Sequence, residues 1–165
     1  MRHTISIIVD NESGVLSRIA GMFSARGFNI ESLCVAESME PETSRITLVT
    51  SGDPHIIEHV TKRFNNMVNV IEVEDLTNKT RVEREMILVR VEAHKNTRAE
   101  ILRIVDIFRA KVVDVGKKNY TLELTGDKDK ITAFIDLLAP LGIKEVARTG
   151  TVAMTREIQK NEKEK

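Results

Sequence analysis

The chain has 165 residues with 25 basic and 25 acidic side chains, so its formal charge at neutral pH is zero. A nucleic-acid partner selects a basic face, and the balanced charge argues against one. No segment is long and apolar enough to predict a membrane span, and the first residues are not typical of a signal peptide. The single cysteine, Cys34, excludes an intramolecular disulfide and favours a cytoplasmic location. Its apolar surroundings predict a buried, unreactive thiol.

Apolar periodicity predicts the order strand, helix, strand, strand, helix, strand for the first half of the chain. Alternating residues Ile5, Ile7 and Val9 indicate the first strand. The first helix has an apolar stripe of Val15, Leu16, Ile19, Ala20 and Phe23. The second helix begins with Asp53–Pro54, an N-cap followed by proline.

The second half repeats this order, which predicts an α+β chain with two ferredoxin-like βαββαβ domains in tandem. Residues 77–85 are polar with little apolar periodicity and are interpreted as a linker. The predicted domains are therefore residues 1–76 and 86–154, followed by a charged tail at 155–165. Each domain is expected to have an antiparallel sheet with both helices on one face. Its edge strands favour pairing between chains.

The beginning of the first helix is the candidate binding site. Ser13 is the predicted N-cap, Gly27 is the predicted left-handed residue after the helix, and Leu16 is placed at the third helical position. No acidic side chain stands there to cap the first turn. Backbone N–H groups of Gly14, Val15 and Leu16 are thus expected to be open to an anion, and glycine permits a close approach.

Asn11 and Asn29 flank this helix with amide groups that both donate and accept hydrogen bonds. The alternative is an ordinary helix whose first turn is hydrated. The equivalent helix of the second half begins with Thr97–Glu100, which predicts a capping box that satisfies the first turn internally. The ligand-competent turn is therefore predicted in the first half only.

A second candidate site is the sequence His55–His59, which matches the inverted zinc-peptidase pattern H-x-x-E-H. His55 and His59 would lie one turn apart, as zinc ligands do. The pattern does not identify a third ligand. The alternative is a solvated edge of the second helix, and we predict no metal site.

The residues around the first helix resemble the ACT domain of the small regulatory subunit of acetolactate synthase. Three segments of the first half are similar to that domain: Asn11–Arg18, Phe23–Ser24 and Arg26–Leu33. Three segments of the second half are similar to the second domain of the same family: Val82–Met86, Val113–Val115 and Glu145–Gly150.

The resemblance implies a chain without catalytic residues that activates a large catalytic subunit. It places thiamine diphosphate, magnesium and FAD on that large subunit. It also implies feedback inhibition by a branched-chain amino acid, usually valine, bound where the first domains of a homodimer meet. The implied effector contacts are Asn11, Gly14, Val15 and Leu16 of one chain with Asn29 and Ile30 of the other. Two alternatives remain at this point, namely a free-standing ACT sensor for another enzyme and a zinc hydrolase using His55 and His59.

Overall fold

The structure of the protein is a computed structural model that describes residues 1–25 and 27–157. The chain divides into two compact units, Met1–Val82 with the segment from Ala153 onward, and Glu83–Val152. The last eight residues of the predicted charged tail, 158–165, lie outside the described residues. Within the described part, no helix combines the length and the apolarity that crossing a membrane would require.

The first unit is a four-stranded antiparallel sheet with the strand order β2-β3-β1-β4. Its elements are β1 Arg2–Asp10, α1 Val15–Ser24, β2 Ile30–Glu37, β3 Thr43–Ser51, α2 Pro54–Phe64 and β4 Val70–Asp75. This order and topology confirm the predicted βαββαβ unit. Strands β2 and β4 form its two edges.

Helices α1 and α2 bury one apolar stripe each against a single face of this sheet. The core consists of Ile5, Ile7, Val9, Val15, Ile19, Phe23, Ile46, Leu48, Ile57, Val60 and Phe64. The Phe23 and Phe64 rings join the two helices, with their centroids 5.4 Å apart. The cap of α2 is as predicted, because the Asp53 side chain accepts a hydrogen bond from the His55 N–H and proline follows it. Cys34 lies on the edge strand and is half-buried rather than buried.

The second unit repeats the topology with the strand order β6-β7-β5-β8, and a short strand β9 also pairs with β5. Its elements are β5 Arg81–Glu92, α3 Arg98–Phe108, β6 Lys111–Val115, β7 Asn119–Gly126, α4 Lys128–Leu138, a 3-10 turn Ala139–Leu141 and β8 Ile143–Arg148. Strand β9, Val152–Thr155, begins at the last residue of this unit and belongs to the first unit from Ala153 onward. Its core is separate from that of the first unit and centres on Ile87, Val89, Ile101, Phe134 and Leu138.

The predicted linker, 77–85, is shorter in the structure than in the sequence analysis. Residues 81–85 begin strand β5, and the boundary between the units follows Val82. Hydrogen bonds explain why so polar a segment is ordered: Arg81 Nη1 donates to the carbonyls of Leu76 and Thr77, both at 2.8 Å. After β8, Gly150 lies in the left-handed region and separates that strand from β9.

Candidate functional site

Helix α1 begins at a glycine with positive φ. The N-cap is Gly14, with φ 87° and ψ −13°, and not Ser13 as predicted from the sequence. The left-handed region is nearly free of cost for glycine and strained for other residues. A β-carbon built on Gly14 would meet no atom within 4 Å, so the backbone of this residue is open to solvent. The predicted left-handed residue after the helix, Gly27, is confirmed with φ 70°.

The shifted start changes which N–H groups are available. Val15 is the first helical residue, and its N–H makes only a long contact of 3.5 Å with the Glu12 carbonyl. Arg18 N–H bonds to the Gly14 carbonyl at 3.1 Å. Between them, the N–H groups of Leu16 and Ser17 have no hydrogen-bond acceptor among the described residues.

The third helical position is therefore Ser17, and not Leu16 as the sequence analysis predicted. Ser17 is a site residue that sequence reasoning missed. The glycine at position 14 was the available signal, because glycine is the residue favoured where the backbone adopts positive φ. No acidic side chain lies in the first turn. The positive end of the helix dipole is thus not neutralised from within the helix.

The side chains of the first turn point in different directions. Val15 is 2% exposed and belongs to the core, so its side chain is not available to a ligand. Leu16 is 39% exposed and offers apolar surface beside the open N–H groups. Of the predicted residues, Leu16 thus offers both a free N–H group and a side chain, and Val15 serves to fix the helix on the sheet.

Asn11 ties the loop before α1 to the connection between β2 and β3. Its N–H donates to the Glu42 carbonyl at 2.7 Å, and its side-chain Nδ2 donates to the Pro41 carbonyl at 3.0 Å. Because the amide nitrogen is used in this way, Oδ1 remains as the acceptor of this exposed side chain. Hydrogen bonds therefore join the loop between β1 and α1 to the β2–β3 connection at one corner of the unit.

A second set of hydrogen bonds fixes the other side of the loop. Asn69 Nδ2 donates to Asp10 Oδ2 at 3.3 Å and to Glu12 Oε2 at 3.1 Å, and Arg18 Nη1 donates to Asn69 Oδ1 at 2.9 Å. Two carboxylates thus lie next to the open helix start. This arrangement offers negative charge for a ligand ammonium group near N–H groups that suit a ligand carboxylate.

Asn29 and Ile30 lie at the opposite end of α1, where β2 begins. The Asn29 carbonyl accepts a hydrogen bond from Thr50 Oγ1 at 2.7 Å, and Ile30 packs partly against the core. A ten-residue helix separates them from Gly14 by about 15 Å along its axis. Within one chain, the structure does not bring these two predicted contacts to the helix start.

The predicted capping box of α3 is wrong. Thr97 is its N-cap, but its Oγ1 accepts from the His94 N–H and has its one proton within reach of the carbonyls of Glu92 and His94, each at 3.3 Å. Glu100 does not reach back, because its carboxylate binds Arg103 at 2.8 Å. The two helix starts still differ in charge, because the first turn of α3 contains Glu100, whereas that of α1 contains no acidic residue.

Within the described residues, the zinc pattern gains no third ligand. His55 and His59 are exposed on α2, and Glu58 between them pairs with Lys62 at 2.7 Å. The hydrogen bond from Lys62 holds the pKa of the Glu58 carboxyl below its ordinary value of 4.5, which makes it a poor general base. Across residues 1–25 and 27–157, no group of three His, Cys, Asp or Glu side chains is arranged to hold a metal ion.

Comparison with known families matches both halves of the chain. Residues 5–72 match the ACT domain of the small subunit of acetohydroxyacid synthase, and residues 84–157 match the family described as the small subunit of acetolactate synthase. A probable acetolactate synthase small subunit from Archaeoglobus fulgidus is 49% identical over 94% of this chain and 98% of its own length. The acetolactate synthase small subunit of Aquifex aeolicus is 49% identical over 99% of this chain and 85% of its own length.

A solved structure shows the same fold over nearly the whole chain. The acetolactate synthase small subunit of Thermotoga maritima is 40% identical and superimposes with a TM-score of 0.86, covering 95% of this chain and 98% of that one. This confirms the tandem ferredoxin-like architecture and the ACT domain predicted from the sequence. On these matches, the chain belongs to the acetolactate synthase small subunit family.

Proposed function

We propose that this chain is a regulatory subunit that binds a branched-chain amino acid, with valine as the first candidate, at the start of α1. One observation carries the proposal: the N–H groups of Leu16 and Ser17 lie open at a helix end that has no carboxylate in its first turn. Such an end favours a bound carboxylate through both hydrogen bonds and the helix dipole.

The remaining groups at this corner suit the rest of an amino acid. Asn11 Oδ1 and the carboxylates of Asp10 and Glu12 offer acceptors to an ammonium group. The exposed Leu16 side chain offers apolar contact to a branched aliphatic group. A ligand with a carboxylate, an ammonium group and an aliphatic branch would thus meet a complementary partner at each of its parts.

The family contacts at Asn29 and Ile30 support a homodimer in which β2 pairs with its counterpart. If two edge strands β2 pair in an antiparallel manner, the beginning of one lies beside the end of the other. The end of β2 leads into the connection that Asn11 holds through Pro41. The partner's β2 would thus bring its first residues to the helix start. Pairing through the other edge strand, β4, would not.

The family membership implies a catalytic large subunit as the partner. In our proposal, thiamine diphosphate, magnesium and FAD are bound by that subunit, and this chain adds no catalytic group. The second unit provides contacts to the large subunit, since the first turn of its α3 contains Glu100 and offers no equivalent effector site.

The test is to mix the purified chain with its cognate large subunit and measure acetolactate formation from pyruvate. We expect this chain alone to be inactive with thiamine diphosphate and magnesium, the large subunit to be faster in the mixture, and valine to slow the mixture. A rate that is the same with and without this chain would contradict the proposal. A mixture that valine leaves unchanged while another branched-chain amino acid inhibits it would change only the effector.

A further inference from the structure

A polar cavity of about 220 Å³ lies on the face of the first sheet that the helices leave free. Its lining residues all belong to the first unit: Ser6, Ile8, Arg45, Glu72, Glu74, Met154 and Thr155. None of them belongs to the candidate site at the start of α1. A cavity of this size has room for a ligand of about seven non-hydrogen atoms, if each takes the volume share of one water molecule.

Strand register places opposite charges at the two sides of this cavity. Ile8 of β1 lies opposite Arg45 of β3 and opposite Glu72 of β4. Because neighbouring strands are about 4.8 Å apart, the backbones of Arg45 and Glu72 are separated by roughly 10 Å with Ile8 between them. Arg45 thus lies on one side of Ile8 and Glu72 on the other, so a cation and an anion flank an apolar side chain.

An irregularity in the sheet fixes the direction of Glu72. The register between β1 and β4 shifts between Ile8 and Val9, so that Ile71 is the extra residue and Val9 pairs with Val70. Such a bulge redirects the side chains of the strand that contains it. Here it keeps Glu72 on the cavity face while Val70 packs against the core.

Among residues 1–25 and 27–157, the cation of this cavity has no partner of opposite charge. Arg45 Nη1 donates to Ser6 Oγ at 2.9 Å, and Ser6 is 4% exposed. No described residue forms an ion pair with Arg45, so its guanidinium keeps several unused donors. Glu72 also has no cationic partner in the described part of the chain, whereas Glu74 pairs with Lys79 at 3.0 Å.

We propose that this cavity is a second binding site, which takes a small α-amino acid as its zwitterion. The ligand carboxylate binds the free donors of Arg45, and the ammonium group binds Glu72. Ile8 supports the ligand from below, and Met154 contacts its side chain. An ordinary anion would satisfy only Arg45, and an amine would satisfy only Glu72, so the pair of charges selects a molecule that has both.

The test is a titration of the full chain observed by NMR, with L-alanine as the probe. The half-molecules propionate and ethylamine serve as matched controls, because each has only one of the two charges. We expect saturable shifts at the methyl groups of Ile8 and Met154 with L-alanine, and much smaller shifts with either half-molecule. Absence of saturable shifts at these methyl groups would overturn the proposal, and so would a response to propionate that equals the response to L-alanine.

Substitutions test whether Arg45 and Glu72 bind the two charged groups of the ligand. Loss of a charge-assisted hydrogen bond should weaken L-alanine binding about ten- to a hundredfold in both Arg45→Gln and Glu72→Gln. Arg63→Gln, on the exposed surface of α2, is the matched control and should bind as the wild type does. Because Glu72 is exposed, we expect Glu72→Gln to fold even if loss of the Arg45–Ser6 hydrogen bond destabilises Arg45→Gln. Wild-type affinity in Glu72→Gln would refute the assignment.

An NMR titration of the full chain with valine, observed at both sites, separates this site from the proposed effector site. Valine at the helix start should shift the N–H signals of Leu16 and Ser17 in the wild type and in Arg45→Gln alike. If those signals respond and the Ile8 methyl group never does, the cavity proposal fails and the effector site stands. If Ile8 alone responds, the cavity proposal stands and the effector site fails.

Discussion

A charge placed at Gly14 tests whether the helix start binds a carboxylate. Gly14→Asp and Gly14→Asn add side chains of nearly equal size, and both must adopt the left-handed conformation recorded at this position. A β-carbon here meets nothing within 4 Å, so the cost is backbone strain and not a clash. Asn and Asp tolerate this region better than other residues, so we expect each variant to lose about 1 kcal/mol of stability.

The two variants should differ strongly in ligand binding. An aspartate at position 14 would bring a second carboxylate close to a ligand carboxylate on the N–H groups of Leu16 and Ser17. Repulsion between unit charges about 5 Å apart is about 1–3 kcal/mol for an effective dielectric constant between those of water and a protein surface. This corresponds to roughly five- to 150-fold weaker binding. Gly14→Asn carries the same strain without the charge and should remain closer to the wild type.

The assay is calorimetric titration of valine into the wild type and both variants, with urea denaturation to confirm equal folding. In the mixture with the large subunit, Gly14→Asp should still raise acetolactate formation but should require far more valine for inhibition. The reasoning is refuted if Asp and Asn weaken valine binding equally, because the effect would then be steric or conformational and not electrostatic.

Three further experiments test the proposed dimer, the ion pair of Arg148 with the buried Glu85, and the core of the first unit. Val35→Lys on edge strand β2 should convert the proposed dimer to a monomer in analytical ultracentrifugation, whereas Ile71→Lys on edge strand β4, also exposed, should not. Arg148→Met should lower the free energy of unfolding by about 1–3 kcal/mol, because it removes two 2.7 Å bonds from Glu85, which is 7% exposed. Adding Glu85→Gln to that variant should recover part of the loss in urea denaturation. Phe64→Ala should cost about 3–5 kcal/mol by the same measurement, since its ring is fully buried between the helices and the sheet.

Periodicity in the sequence was sufficient to predict both units. Alternation along β1 and the helical stripe of α1 identify residues that are buried in the structure, as Ile7 and Ile19 are. The N-cap Asp53 was also predicted correctly, because its carboxylate accepts from a backbone N–H only two residues away. These features depend on neighbours within a few residues, and a single sequence contains that information.

Features that depend on competition between partners were not predictable in this way. Thr97 and Glu100 have the spacing of a capping box, but nearby carbonyls and Arg103 bind their side chains instead. The sequence did not distinguish Ser13 from Gly14 as the N-cap, because the outcome depends on how the loop is held from outside. Asn11 provides that restraint through carbonyls of the β2–β3 connection, about thirty residues away.

The two units share one topology, so the function that we propose depends on the residues in which they differ. Both units have the same strand order, so the fold by itself provides two equivalent helix starts. They differ in a few residues of one loop: a left-handed Gly14 precedes a first turn without acidic residues in α1, whereas the first turn of α3 contains Glu100. A carboxylate in that turn already interacts with the positive end of the helix and repels a second anion. In our proposal, divergence at this loop gives one unit the ligand site and leaves the other unit for contacts with the catalytic subunit.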